Sequence, residues 1–264
     1  MSTVAERTSV FAERRARANE LASRFDYAAE PLRLVAALAD AQEDAHERAR
    51  AERPAFDELP AFVVRASLPG VMEAAMAAGT ESLREAVLVR FHDGDLEAIV
   101  RGWLAADTQD DTDTFLARAA TSPVLEAVPA LAERLRGDAS DERRCPSCGG
   151  LPQVAIHSDT GEALLTGRRL LECSRCATRW AYPRMTCVSC RETGGARQPI
   201  LADESRLPHL RIDACDVCRA YVVTVDIRKE PKAVPMVDEI VALPLDLIAS
   251  ERGYTKITRN VAGF

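Results

Sequence analysis

Four Cys-x-x-Cys pairs at a fixed spacing constrain this 264-residue chain more than any other feature. They are Cys145-Pro-Ser-Cys148, Cys173-Ser-Arg-Cys176, Cys187-Val-Ser-Cys190 and Cys215-Asp-Val-Cys218, and the first 144 residues contain no cysteine. Twenty-four residues separate the first pair from the second and, again, the third from the fourth, so each of the first four cysteines recurs 42 residues further on. A period of that kind describes one small module copied in tandem. Two intervening residues let the backbone turn tightly and aim both sulfurs at one point. Two such turns then supply four thiolates at the corners of a tetrahedron, about 2.3 Å from a metal ion. A segment of roughly 32 residues is too short to be held by burial alone, and metal binding supplies the missing free energy.

Other uses of these cysteines fit less well. Disulfides need an oxidising compartment, whereas the opening Met1-Ser-Thr-Val-Ala-Glu-Arg7 lacks the apolar run of a signal peptide, so a reducing cytoplasm is expected. A thioredoxin-like redox motif suits one pair but not four, and chance clustering does not generate a period. Four thiolates suit zinc or a rubredoxin-type single iron, and spacing does not discriminate between them. The Cys145-Pro-Ser-Cys-Gly149 sequence has a rubredoxin look, which raises iron. With every ligand supplied by the chain, no position is left for water or substrate, which argues against Lewis-acid catalysis.

The cysteine-free part reads as a different kind of structure. Residues 1–140 carry 16 Lys and Arg against 25 Asp and Glu, a net of −9, while residues 141–264 carry 18 against 16, a net of +2. Ala, Leu, Glu and Arg dominate the first part, and apolar positions recur there at helical spacing. Leu34, Val35, Leu38, Ala41 and Ala45 mark one buried face. Further helices are expected over Leu83 to Val89, over Leu96 to Leu104, and from an N-capping Ser122-Pro123 to Gly137, with Pro129 kinking or splitting the last. The polar run from Gly137 to Arg144 marks a boundary. Beyond it, short β-type runs occur at Val154 to Ile156, Arg169 to Leu171, Trp180 to Tyr182, Leu210 to Ile212 and Tyr221 to Ile227. After Pro235, residues Val237, Ile240 and Val241 suggest a final helix, interrupted by Pro244 and closing near Gly253.

The expected fold class is therefore α+β and multidomain. An all-α domain at residues 1–140 precedes two tandem tetra-Cys modules of rubredoxin-like or zinc-ribbon type, at 141–185 and 186–229, and a short C-terminal helical tail at 230–264. In such a module, Cys173→Ser is expected to unfold the first copy locally and leave the helical domain folded. The longest apolar stretches, around Val71 to Ala78 and Ile240 to Ala249, are broken by Glu73, Pro244 and Asp246, so no membrane span is expected. Arg191, Arg197, Arg206 and Arg211 alternate with Glu192, Asp203, Glu204 and Asp213, which does not make a phosphate-binding stripe, and no nucleic-acid partner is expected. His46, His92, His157 and His209 are scattered and read as surface or structural residues. Trp180 and Tyr221 read as packing over the metal sites.

With the four pairs and their surroundings in place, the sequence resembles the formate dehydrogenase accessory protein family, FdhE. The resemblance is carried by Cys145 to Gly149 with Leu151-Pro152, by Gly167 to Trp180, and by Arg184 leading into Cys187 to Cys190. It continues through Cys215 to Cys218 with Tyr221, Lys229-Glu-Pro-Lys232, Asp238 and Glu251-Arg-Gly-Tyr254, and more weakly through Arg14 to Glu43. It implies a cytoplasmic, non-enzymatic assembly factor that binds the catalytic subunit of a molybdenum- or tungsten-dependent formate dehydrogenase during maturation, with iron favoured in the tetrathiolate sites. Carried over by residue and paired by the repeat, Cys145, Cys148, Cys173 and Cys176 form one site, and Cys187, Cys190, Cys215 and Cys218 the other. A soluble electron carrier or redox sensor is the alternative from another class.

Overall fold

The computed structural model describes residues 9–136, 141–159 and 168–263. Part of the expected boundary segment, residues 137–140, lies outside the described residues, as do residues 1–8 and Gly167. Eight helices come first: α1 (Val10–Arg24), α2 (Ala29–Glu52), α3 (Leu59–Ala66), α4 (Leu68–Ala78), α5 (Glu81–Asp93), α6 (Leu96–Ala105), α7 (Asp111–Ala127) and α8 (Pro129–Arg136). Their starts follow from side chains that satisfy the first orphan N–H groups: Ser9 for α1, Thr80 for α5, Asp95 for α6 and Asp110 for α7.

One helix departs from expectation. Ser122-Pro123 does not open a helix but sits inside α7, which begins eleven residues earlier at Asp111. A proline there leaves the carbonyl four residues back without its partner. Gln42 of α2 replaces it, its Nε2 donating to Ala119 O at 3.0 Å, and the Ser67 hydroxyl donates to Ala120 O at 2.7 Å. Tertiary donors thus let the helix run through the proline. Pro129 does split the segment, as expected, with Val128 between α7 and α8.

The strands are β1 (Pro152–Ser158), β2 (Arg168–Cys173), β3 (Arg179–Ala181), β4 (Ile200–Leu201), β5 (Leu210–Ala214) and β6 (Ala220–Asp226), followed by α9 (Pro235–Asp238), α10 (Leu243–Glu251) and β7 (Thr255–Lys256). They form one sheet in the order β3-β2-β1-β6-β5-β4, with β7 parallel to the start of β6. Each repeat contributes three antiparallel strands, and the two are joined head to tail where β1 pairs in parallel with β6, Val154 against Val223 and Ile156 against Val225. Both strands at this seam are buried along almost their whole length, which is why apolar residues stand side by side in Val154 to Ile156 and Tyr221 to Val223 instead of alternating with polar ones.

Three cores result among the described residues, a small one around Ala155, Leu171, Tyr182, Val188 and Val222 and two larger ones that α2 serves on its two faces. Leu34, Leu38 and Ala49 face a core shared with α3 to α8, whereas Leu32, Val35 and Ala36 join Ala18 and Leu21 of α1 against β5, β6 and the C-terminal helices. Pro244 does not break a helix but begins one: it lies in the first turn of α10, where no N–H is needed, after a short 3-10 turn over Glu239–Ala242. The helical stretch Phe56–Ala78 is long and apolar enough to cross a membrane by length and composition. Half of its most apolar window is buried in the helical layer, and it is bent at Ser67.

Candidate metal centres

All four cysteine pairs are built alike. The N–H of the residue after the second cysteine donates to the carbonyl of the first: Gly149 to Cys145 at 2.9 Å, Ala177 to Cys173 at 3.2 Å, Arg191 to Cys187 at 3.0 Å and Arg219 to Cys215 at 2.9 Å. In return, the N–H of the first cysteine donates one residue further along, to Gly150, Thr178, Glu192 and Ala220. Closing this turn drives the residue after the second cysteine into the left-handed region, with φ of 71° at Gly149, 51° at Ala177, 67° at Arg191 and 59° at Arg219. Only the first turn uses glycine to meet that demand. The turn also aims N–H groups at sulfur: Ser147 at Cys145 (3.4 Å), Arg175 at Cys173 (3.3 Å) and Ser189 at Cys187 (3.4 Å).

The fold brings these turns together in the pairs that the repeat implies. Cys145, Cys148, Cys173 and Cys176 form one group and Cys187, Cys190, Cys215 and Cys218 another, the sulfurs of each lying within 4.8 Å of one another. In the first, Cys145 and Cys176 are 3.6 Å apart, Cys148 and Cys173 3.3 Å, and Cys148 and Cys176 3.4 Å. In the second, Cys187 to Cys218 and Cys190 to Cys215 are both 3.7 Å. All eight cysteines are free of disulfide bonds. A tetrahedron with metal–sulfur bonds of about 2.3 Å has edges of about 3.8 Å. The donor set therefore fits a zinc or single iron ion that takes four thiolates. Burial pushes the Cys187 thiol up to about 12, so a cation is what would favour its thiolate.

The surroundings of the two groups differ. Cys145, Cys148, Cys173 and Cys176 are all buried and belong to the same core as Leu34, Trp103 and Leu131 of the helical layer. Arg175 turns away from the sulfurs and lays its guanidinium 4.7 Å from the Trp103 ring centroid, with Nη2 donating to Trp103 O at 3.0 Å. In the second group Cys187 and Cys215 are buried, Cys218 is half-buried and Cys190 is exposed. One buried arginine attends each group. Arg118 of α7 feels the charge of Glu239 and Cys173, and Arg169 of β2 feels that of Asp213 and Cys187; burial lowers the pKa of both guanidinium groups. Arg169 also ties down the approach to the third pair, donating from Nη1 to Thr186 O at 3.0 Å. Trp180 packs against the core holding the first group, whereas Tyr221 does not cover a metal site: it lies in the other large core and donates to Asp246 Oδ1 at 2.8 Å.

Two buried polar chains brace this frame, and neither is visible as a motif. Arg17 of α1 grips Asp238, with Nη2 to Oδ1 at 2.6 Å, and His209 Nε2 stands 3.0 Å from the same oxygen. In the other, Arg118 donates to Gln153 Oε1 at 2.5 Å, Gln153 donates to Glu239 Oε1 at 2.6 Å, and Lys256 bridges Glu239 and Asp246 at 3.3 Å each. Both run from the helical layer into the sheet and the C-terminal segment. Spacing gives no sign of them, because their members come from distant parts of the chain and meet only when the helices pack on the sheet and the C-terminal segment.

The family model described as "FdhE, central domain" matches residues 144–184, and that described as "FdhE, C-terminal domain" matches residues 185–262. A "Protein FdhE homolog" of Aquifex aeolicus is 30% identical over 190 residues, which cover 70% of this chain and 65% of that protein. A "Protein FdhE homolog" of Stutzerimonas stutzeri is 30% identical over 121 residues, 46% of this chain and 38% of that one. The chain thus spans less than two thirds of the length of these curated relatives. The crystal structure of the FdhE protein from Pseudomonas aeruginosa has the same fold, with a TM-score of 0.66 at 21% identity over 96% of this chain and 95% of that one. Through both of its cysteine repeats and the segment that follows them, the chain belongs to the FdhE family.

Proposed function

We propose that the chain is an accessory protein of formate dehydrogenase maturation. It binds the catalytic subunit of a molybdenum- or tungsten-dependent formate dehydrogenase in the cytoplasm and is not itself an enzyme. Cys145, Cys148, Cys173 and Cys176 hold one metal ion, and Cys187, Cys190, Cys215 and Cys218 a second, with iron favoured over zinc. The observation that carries this reading is a pair of clusters, in a chain of this family, whose ligand positions are all filled by sulfur. Such centres cross-link a chain and leave no place for substrate. Bound zinc would supply the cross-link alone, and bound iron a one-electron couple as well. The residues around the clusters hold a shape: the left-handed turns point the sulfurs inward, and Arg118 and Arg169 offset their charge. Deletion of the gene should abolish formate dehydrogenase activity, and the tagged chain should co-purify with the catalytic subunit. Normal activity in the deletion strain would refute the proposal.

The exposure of Cys190 favours one other reading, a soluble electron carrier or redox sensor. That reading requires iron and a reversible couple in the purified protein, and a colourless chain holding only zinc excludes it.

A further inference from the structure

We propose that the two centres are unequal in kind: the second, opening at Cys190 and Cys218, exchanges its metal with thiol ligands from solution, while the first is locked. This rests on the reading that both clusters hold metal. In each pair of the second centre the first cysteine is buried, Cys187 at 7% and Cys215 at 1% exposure, and the second is the more accessible, Cys190 exposed and Cys218 half-buried. The buried Cys187 is fixed by the Tyr182 hydroxyl on its carbonyl oxygen (3.1 Å), and Arg143 Nη1 on Ser189 O (2.7 Å) steadies the turn that leads on to Cys190. Beside the outer half, Val217, the residue before Cys218, is exposed and apolar and would receive the body of an incoming ligand. The first centre has no such side, since its four cysteines are at most 6% exposed and share a core with the helices. Reaching it means opening the helical layer, an event drawn from the high-energy end of local unfolding. Reaching Cys190 means opening nothing.

Exchange balances simply. An incoming thiol gives up its proton and its sulfur bonds the ion, as the bond to Cys190 breaks and the Cys190 sulfur takes a proton. Repeating this at Cys218 frees two of four positions while the inner pair still holds the turn in place.

The test uses the full chain loaded with two equivalents of zinc and challenged with a chromogenic chelator. One equivalent should leave roughly tenfold or more faster than the other. In the same untreated protein, N-ethylmaleimide followed by peptide mass spectrometry should label Cys190 and Cys218 well before any cysteine of the first centre. Cys190→Ser should lose the fast equivalent and keep the slow one. Two equivalents leaving at one rate, or first-centre cysteines labelled as fast as Cys190, would overturn the proposal. A purified chain that takes up no metal instead overturns the metal reading beneath it, and the two failures are told apart by the zinc content before the challenge.

Discussion

A methyl group on Gly150 would stand 3.0 Å from the Cys173 sulfur and 3.1 Å from the side chain of Arg175. The first centre is drawn that tightly, so Gly150→Ala should cost about 1–3 kcal/mol and lower zinc content by up to one equivalent, read by thermal melting and elemental analysis. An unchanged melt with both equivalents retained would contradict this. Glu239 makes a different argument, from proton linkage. Its full burial raises the carboxyl to about 7 from an ordinary 4.5. Between those values the folded chain holds a proton that the unfolded chain has released. The resulting stabilisation is complete below about 4.5 and is lost as pH rises through about 7. Glu239→Gln keeps an acceptor for Gln153 but cannot titrate. The stability of the variant relative to the natural chain should therefore grow from about pH 5 to about pH 8, as denaturant titrations at both would show. At this scale the sequence was legible where residues recur, as the cysteines do. Glu239 and Arg118 do not recur, and only the packing of the helices against the sheet makes them buried.

Elements were legible in proportion to how far local chemistry decides them. The strands flanking the cysteines and helices such as α5 and α6 follow from periodicity and from caps such as Thr80 and Asp95. Strands β4 and β7, two residues each, exist only through their neighbours, and nothing in the apolar residues of β1 and β6 says that these two strands pair with each other. Ser122-Pro123 looked like a start because nothing local says that Gln42 will supply the missing hydrogen bond. That substitution can be tested as a cycle. Gln42→Ala strips Ala119 O of its donor and should cost about 1–3 kcal/mol. In a Pro123→Ala background the restored N–H at position 123 serves the same carbonyl, and the cost of Gln42→Ala should fall toward zero. Equal costs in the two backgrounds, measured by urea unfolding, would remove Gln42 from its assigned part.

Across the whole molecule, the helices and the cysteine repeats share cores rather than meeting at a thin interface. Cys173 is fully buried in the core that also contains Leu38, Trp103 and Leu131, and α2 lines that core on one face and the core beneath β5 and β6 on the other. Independent modules would confine the effect of Cys173→Ser to residues 141–185. Shared packing predicts a wider one. With metal held there as proposed, its loss would leave three thiols packed in place of a cross-linked tetrahedron, and the helices around it would bear the cost. Removing a structural ligand at a fully buried site belongs with the mutations that cost more than about 4 kcal/mol. Cys190→Ser lies on the opposite, exposed side of the second centre, where no helix of the first core depends on it. Hydrogen exchange followed by mass spectrometry should then show protection lost in α6, α7 and α8 of Cys173→Ser, and lost in Cys190→Ser only near the third and fourth pairs. Full helical protection in Cys173→Ser would mean that the first centre staples its own repeat and nothing more. Loss of it would mean that the metal is part of the helical core, and that any client docking on those helices meets a surface whose shape depends on a loaded first centre.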